Sequence, residues 1–529
     1  MQNVSSPRFR LVDRLLTGNR VSLLLWSFLL LFALSGTWAI SNPIATVPDE
    51  PAHVIKAVAV VHGDPFGTIS TDATNHADRE FKVAEVYAEL HDLRCNAFIG
   101  TEPVSTCELN IDEPAGSVFD ASTGAWGYNP VYYAVVGWPS LIANDLASVT
   151  VMRLVSALFS SLFLAFAIWA LSFLPNRRLP VLVGMAVVTP STLFYMGGVN
   201  PQGAEIATLA AFTAAYLVAL ETQARGRLLW LLSSIMLVAG TLGVQMRHLA
   251  WIWLGVIVLI GFIFAGWRRW LRFIGKPPVV IAVIAVLAGI AGNLWLMLSL
   301  DSLTGASPMW GAGVFSFPNG FLFMLWRFPE FFGSMFALFG WMDVESRWAV
   351  SMFLVISAVL VAAALLSRVR SHHRWGTIAA LAALWIMPAL VQASSVMEYG
   401  FIWQGRYGSP LWVVLMFVAA IAFARNFDRI TEPLAARLGI TIAVTLGCAH
   451  IVSLVANLHR QYIGFGNPLS RLLSFADDGR IYSQAPVIGT PGWLLVAIVL
   501  GAVTAYFAWR IVRRPALENS PEESKSFVG

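Results

Sequence analysis

Residues 21–40 read VSLLLWSFLLLFALSGTWAI, without a single charge. In a helix such a run crosses the roughly 30 Å of hydrocarbon in a bilayer. No convincing small-residue cleavage site accompanies it, so it is read as a retained membrane helix and not as a secretory signal. Similar apolar runs recur near 150–173, 179–197, 204–221, 228–245, 249–266, 279–299, 348–367, 377–395, 409–424, 439–457 and 491–510, which predicts about twelve spans. Composition agrees: the 529 residues are 57% hydrophobic and 12% charged, with 21 Trp and a mean hydropathy of +0.69. That excludes a soluble enzyme carrying one anchor.

The net charge of +4 comes from basic residues in short loops, so it speaks for an orientation in the bilayer and not for a nucleic-acid partner. If Arg8, Arg10, Arg14 and Arg20 are cytoplasmic, every second connection should be basic. Each one is: Arg177 and Arg178; Arg225 and Arg227; Arg268, Arg269, Arg272 and Lys276; Arg368, Arg370 and Arg374; Arg425, Arg429 and Arg437; Arg510, Arg513 and Arg514. The expected organisation is therefore a cytoplasmic segment 1–20, a first transmembrane helix 21–40, an extracytoplasmic loop 41–149, the remaining bundle 150–510 and a cytoplasmic tail 511–529. Both termini face the cytoplasm of a bacterial cell in this reading. The tail from Glu518 to Gly529 reads as disordered.

Function is expected on the other side. Just past the first span comes Pro48-Asp49-Glu50-Pro51-Ala52-His53, two adjacent acids held between prolines that fix the backbone on both sides. The bland reading is a helix start, with Pro51 in its first turn and an acid favoured by the helix dipole. Val54 to Val61 reads as a helix lying on the membrane surface, and Trp126 to Tyr133 as a second interfacial stretch whose rings act as anchors.

Other polar residues fall in the same outer loops. His53 and Lys56 follow the acid pair. Asn200, Gln202 and Glu205 stand at the third-to-fourth connection, Arg247 and His248 at the next outer turn. Asp343 and Glu345 come later, then Gln404, Arg406 and Tyr407. Ionisable groups at the edge of hydrocarbon are costly unless paired or wetted, so they mark a site or an ion pair. For Glu205 and Arg153, near helix ends, pairing is the expectation. Gly405 permits close backbone approach beside Arg406. Cys95 and Cys107 share the large loop and read as a disulfide, and Cys448 as a packing residue. No cage of oxygen ligands for a metal is apparent, so a divalent metal, which His53 could help to bind, is the less favoured alternative to a site without a cofactor.

Outside a cell membrane nucleotide donors are scarce, whereas a sugar on a lipid phosphate reaches an outer cavity from within the bilayer. Transfer from such a donor needs a base for the acceptor hydroxyl and a cation for the departing phosphate. Asp49 and Arg406 have those chemistries, with Arg247 as a second contact.

Four stretches, Pro48-Asp49-Glu50-Pro51-Ala52-His53, Asn129-Pro130-Val131-Tyr132-Tyr133, Gly198-Val199-Asn200-Pro201 and Gln404-Gly405-Arg406-Tyr407, resemble a bacterial family of polytopic membrane proteins of unassigned biochemical function. That family is similar in layout to the GT-C class of lipid-phosphate-sugar-dependent glycosyltransferases. The resemblance implies an all-α, GT-C-like helical bundle in which an acid of the first outer loop, Asp49 before Glu50, is the catalytic base. It also implies an acid after Asn200-Pro201, where this chain has Gln202, with Glu205 one turn further on.

The combined expectation is an inverting glycosyltransferase that moves a sugar from a polyprenyl-phosphate donor to an envelope glycan, lipid or protein acceptor. Asp343 and Glu345 would line the acceptor side. A transporter or flippase of lipid-linked saccharides, or a polysaccharide polymerase or ligase, would use the same cations.

Overall fold

In the computed structural model, residues 19–69, 78–109, 111, 117–300, 308–474 and 483–513 are described. Arg8, Arg10, Arg14, Arg514 and the tail from Glu518 onward lie outside them. The protein is a polytopic helical bundle. Ten of the described helices are long and apolar enough to cross a membrane, beginning with α1 (Arg20–Ser41). Two further apolar segments fall between them in the positions the hydropathy marks, and both depart from a simple span.

The first runs over α5 (Arg178–Ala186) and α6 (Pro190–Met196), which meet at a 61° bend. Pro190 lacks an N–H for the ladder and holds Thr189 extended, so the helix restarts, capped by the Thr189 hydroxyl accepting from the Thr192 N–H at 3.1 Å. The second is α9 (Ala250–Ala265), only 16 residues long. It is followed by the short helix α10 (Trp267–Ile274), where Trp and Arg alternate as in an interfacial helix.

The centre of the bundle is α7 (Pro201–Thr222), buried from Pro201 to Leu220. Its alanines at 204, 207, 210, 211, 214, 215 and 219 let neighbours approach closely, which is how helices associate where no hydrophobic force separates protein from lipid. Helices α4 (Leu146–Leu171) and α8 (Gly226–Met246) pack on either side of it, α1 lies on α4, and α11 (Pro277–Ser299) on α8. Beyond a pair of short helices, α12 (Phe317–Trp326) and α13 (Phe328–Ser334), come α14 (Arg347–Leu366) and α15 (Ser371–Tyr399). The buried α16 (Ser409–Phe427) touches α7, and α17 (Glu432–Leu458) pairs with α18 (Gly489–Arg513).

The loop after α1 differs from expectation. It holds α2 (Glu50–Val61), α3 (Pro130–Val136) and an antiparallel sheet of β1 (Thr68–Ile69), β2 (Arg79–Ala84) and β3 (Val118–Thr123), in that order, with Phe81 opposite Ala121. Alternation in β2, where Phe81 and Val83 are buried and Lys82 is exposed, is the signal for a half-buried strand. The sheet and α3 cover α2, so Val54, Ile55, Ala57, Val58 and Ala59 are core residues and α2 does not lie on the lipid. Trp126, Tyr132 and Tyr133 are buried too, which corrects their reading as membrane anchors. Cys95 and Cys107 are joined by a disulfide.

Candidate active site

The turn from Ser41 to Glu50 is buried at every residue but one. Asp49 is the exception, its side chain 49% exposed. It caps α2 with φ +65°, a left-handed conformation that costs a non-glycine residue roughly 1–2 kcal/mol. Several contacts hold it there. Asn200 donates its amide to the Pro48 carbonyl at 2.9 Å while its own oxygen caps α7 by accepting from the Gln202 N–H at 2.9 Å. The Trp341 indole donates to the Ala45 carbonyl at 2.9 Å. Gly198 has no Cβ because one would stand 2.7 Å from Val47.

The two adjacent acids have separate fates. Glu50 is fully buried, bridged by Arg153 at 2.7 and 2.5 Å and by the backbone N–H groups of Ala45 and Val199, both at 3.0 Å. Arg153 spends its remaining donors on the carbonyls of Ala39, Asn42 and Pro43. Four donors saturate Glu50, so the expectation that it shares a catalytic role is corrected: it braces the turn.

Asp49 instead faces Arg406, which donates Nη2–H to its carboxylate at 2.8 Å. Arg406 stands in the short 3₁₀ turn Gly405–Gly408 that leads into α16. Gly405 is required there, since a Cβ would collide with Ser334 Oγ and the Phe331 carbonyl. The buried Nε and Nη1 of Arg406 make no well-formed hydrogen bond among the described residues, and neither does the buried amide oxygen of Gln404. The rings of Tyr195 and Tyr407 lie 4.9 and 5.4 Å from the guanidinium carbon.

A second guanidinium, that of Arg247, lies 4.4 Å from the Tyr407 ring centre, so this ring lies against both cations. Arg247 donates to the Gln202 side-chain oxygen, and Gln202 in turn donates to Glu205 at 2.9 Å. Glu205 is buried and its second oxygen has no hydrogen-bond partner among the described residues. Burial works to raise the Asp49 pKa, but Arg406 above all, then His53 and Arg247, outweigh it, and the carboxyl titrates below its usual value.

An imidazole and phenol wall closes the recess. His53 and the Tyr133 hydroxyl hydrogen bond at 2.8 Å, Tyr128 meets His53 edge-on at 5.6 Å, and His248 stacks on Tyr128 at 4.6 Å while bonding the Gly127 carbonyl at 3.1 Å. Burial, then the two arginines against the opposing pull of Asp49, drives the His53 pKa to about 3. It is neutral at physiological pH.

Asp49, His53, Asn200, Gln202, Glu205, Arg247, His248, Gln404, Arg406 and Tyr407 thus converge, while the other sequence candidates do not join them. Lys56 is fully buried, donating to the carbonyls of Pro65 and, at 2.8 Å, Trp126, between the rings of Phe66 and Phe81. Asp343 accepts twice from Arg460, at 2.8 and 3.1 Å, and Arg460 also clamps the carbonyls of Asn96 and Glu102 in the disulfide loop. Glu345, in the hairpin of β4 (Leu338–Phe339) and β5 (Val344–Glu345), pairs on the surface with Arg347 at 3.6 Å. These three corrections are of one kind: a charge in a connecting loop was already spoken for by a partner of its own. Sequence reading missed Tyr195, which lies inside an apolar run with no distinguishing signal, and Arg460, whose charge at the end of the eleventh run was the available clue. Among the described residues no three His, Cys, Asp or Glu side chains cluster as a metal site would require.

Fold and site together define a polytopic membrane protein in which an acid and two guanidiniums are brought together beside one tyrosine ring. The chain belongs to the family described as "Predicted membrane protein (DUF2142)", whose profile matches residues 30–415. No protein of curated function matches it. Among solved structures it is similar to ArnT from Cupriavidus metallidurans in the apo state, with 13% identity and a TM-score of 0.47 over 93% of this chain and 76% of that one. It is similar as well to ArnT from the same organism bound to undecaprenyl phosphate, with 12% identity and a TM-score of 0.46 over the same shares.

Proposed function

We propose that this protein is an integral-membrane glycosyltransferase that moves a sugar from a polyprenyl-phosphate carrier to an envelope acceptor on the extracytoplasmic face, with inversion. One observation carries the reading: a half-exposed carboxylate at the tip of a buried, strained turn touches a guanidinium whose Nε and Nη1 make no well-formed hydrogen bond among the described residues. Unsatisfied buried donors beside a second cation suit an anion, and the planar fork of arginine suits phosphate.

In the resting site Arg406 keeps Asp49 ionised but weak as a base. Arrival of the donor phosphate on Arg406 and Arg247 draws the guanidinium's charge away from Asp49, whose basicity rises as the acceptor is needed. The acceptor hydroxyl oxygen then attacks the anomeric carbon from the side opposite the phosphate. Its proton passes to Asp49, and the bond between that carbon and the phosphate oxygen breaks, with the electron pair leaving on the lipid phosphate. The two arginines neutralise the charge that develops there. Neutral His53 adds no competing charge, and the partly exposed rings of Tyr128 and Tyr407 offer flat faces for the sugar.

The test is purified protein in vesicles supplied with a synthetic short-chain polyprenyl-phosphate hexose or pentose and envelope extract, read by mass spectrometry. A new glycosidic bond with inverted configuration, lost in Asp49→Asn, is the expected result. Unmodified donor appearing in the opposite leaflet, with no new bond, would make the protein a transporter and end this proposal.

A further inference from the structure

On the opposite face of the bundle lies a second built feature. Helix α7 starts beside Asp49 at Pro201 and has 22 residues, so its far end is roughly 33 Å away. There, Arg225, Arg269, Arg272 and Lys276 line a basic pocket with Gln223 and Phe273, and no carboxylate lines it. None of the four cations takes part in an ion pair among the described residues. The acid at the end of α7, Glu221, is already held by Arg370 and His373, each at 3.0 Å. Burial, then the neighbouring Arg225 and Arg272, lowers the Lys276 pKa below its usual value, and its ammonium donates to the Ala224 carbonyl at 2.7 Å.

Phe273 is also part of the wall of a neighbouring groove of about 380 Å³ that runs between α7, α8, α9, α10 and α11. The groove is apolar throughout. Its polar side-chain atoms satisfy one another: the Trp270 indole donates to the Tyr216 hydroxyl at 2.7 Å, and that hydroxyl donates to the Val258 carbonyl at 3.0 Å. Along α11 it opens sideways, since Val283, Ile284 and Leu287 are 40–62% exposed at a surface that faces lipid in this bundle. A cavity with no unpaired polar group asks for hydrocarbon, and the cations at its end ask for an anion.

We propose that this groove and pocket form a site for one anionic glycerophospholipid of the adjacent leaflet, an acyl chain along Phe212 and Ile290 and the phosphate among Arg225, Arg269, Arg272 and Lys276. Charge complementarity selects this occupant over a zwitterionic lipid, whose ammonium would add a fifth cation to the cluster. The site would tie α10 and the ends of α8 and α11 together at the membrane surface, remote from the Asp49 recess, and it stands independently of the proposed transfer reaction.

The experiment is native mass spectrometry of the full chain released from bilayers of dioleoylphosphatidylglycerol mixed equally with dioleoylphosphatidylcholine. One phosphatidylglycerol is expected to remain bound in preference to phosphatidylcholine. Each cation near such a headgroup changes retention by roughly fivefold, so Arg269→Gln with Lys276→Gln should lower it by roughly 25-fold. Val283→Trp, which fills the groove and keeps every charge, should lower it as well. Equal retention of the two lipids by the unaltered protein would overturn the proposal, whatever the variants do. Displacement of the bound lipid by glycerophosphate at equal concentration would also overturn it, because the groove would then contribute nothing.

Discussion

At Asp49 and Glu50 adjacent residues of like chemistry are separated by their surroundings, and two variants should show it. Asp49→Asn removes the proposed base from an open position, so transfer should fall by roughly 10²–10⁴-fold, and the melting temperature should fall by less than in Glu50→Gln, because solvent reaching the half-exposed position 49 screens the Arg406 charge left behind. Glu50→Gln leaves the Arg153 charge buried without a counterion and should cost about 3–5 kcal/mol, read as a large drop in melting temperature. The reverse pattern would exchange the roles assigned to the two acids. His53 makes a pH-dependent contribution with a definite sign. Its pKa is 6.5 when free and about 3 when folded, so between those values the unfolded chain binds the extra proton and stability falls as pH falls. The slope from this one group is about 1.4 kcal/mol per pH unit, and it vanishes above pH 6.5. In His53→Gln the difference between melting temperatures at pH 7 and pH 5 should shrink; an unchanged difference would mean that His53 is not buried neutral. Of these roles the sequence showed the acid pair and its proline frame, but not which acid is buried, because that depends on Arg153, more than a hundred residues away.

At the scale of elements, the site is assembled by the starts of helices. Asn200 caps α7 and tethers the turn before α2, so Asn200→Ala should cost about 1–2 kcal/mol from the lost cap. It should also lower kcat by more than that stability loss explains, since Asp49 would no longer be held in its left-handed conformation. Asn200→Asp keeps the capping oxygen and loses the donor to Pro48, and should separate the two effects. The disulfide loop is a second such element: closing about a dozen residues between Cys95 and Cys107 is worth about 3 kcal/mol, and Arg460 fastens that loop to the bundle. The start of α2 was legible because Asp-Glu-Pro is a capping sequence, whereas the Asn-Pro starts of α3 and α7 were not read as caps. The sheet over α2 was not read, because its strands are two to six residues long and an apolar run such as Val54 to Val61 looks the same under a sheet as on a bilayer.

For the whole molecule, hydropathy located the apolar segments because a bilayer demands long helices with every backbone group satisfied internally, and that demand is written in consecutive residues. It missed the bend at Thr189–Pro190, since proline chemistry changes direction without changing hydropathy. Which segments are central is a property of packing that the run of apolar residues did not give: α7, the least hydropathic of the ten described spans, is buried on all sides, whereas the more apolar α11 faces outward along much of its length. The orientation inferred from the arginines makes a prediction at this scale. Asp120, exposed on β3, and Arg268, exposed on α10, lie in loops of opposite parity. With Cys448 replaced by Ala and Cys95 and Cys107 joined to each other, a cysteine at position 120 should react with a membrane-impermeant maleimide on intact cells. One at position 268 should react only after the membrane is opened. Labelling of position 268 in intact cells would place the acid and guanidinium recess on the cytoplasmic side, where nucleotide-activated donors are plentiful, and the argument for a lipid-linked donor would lose its premise.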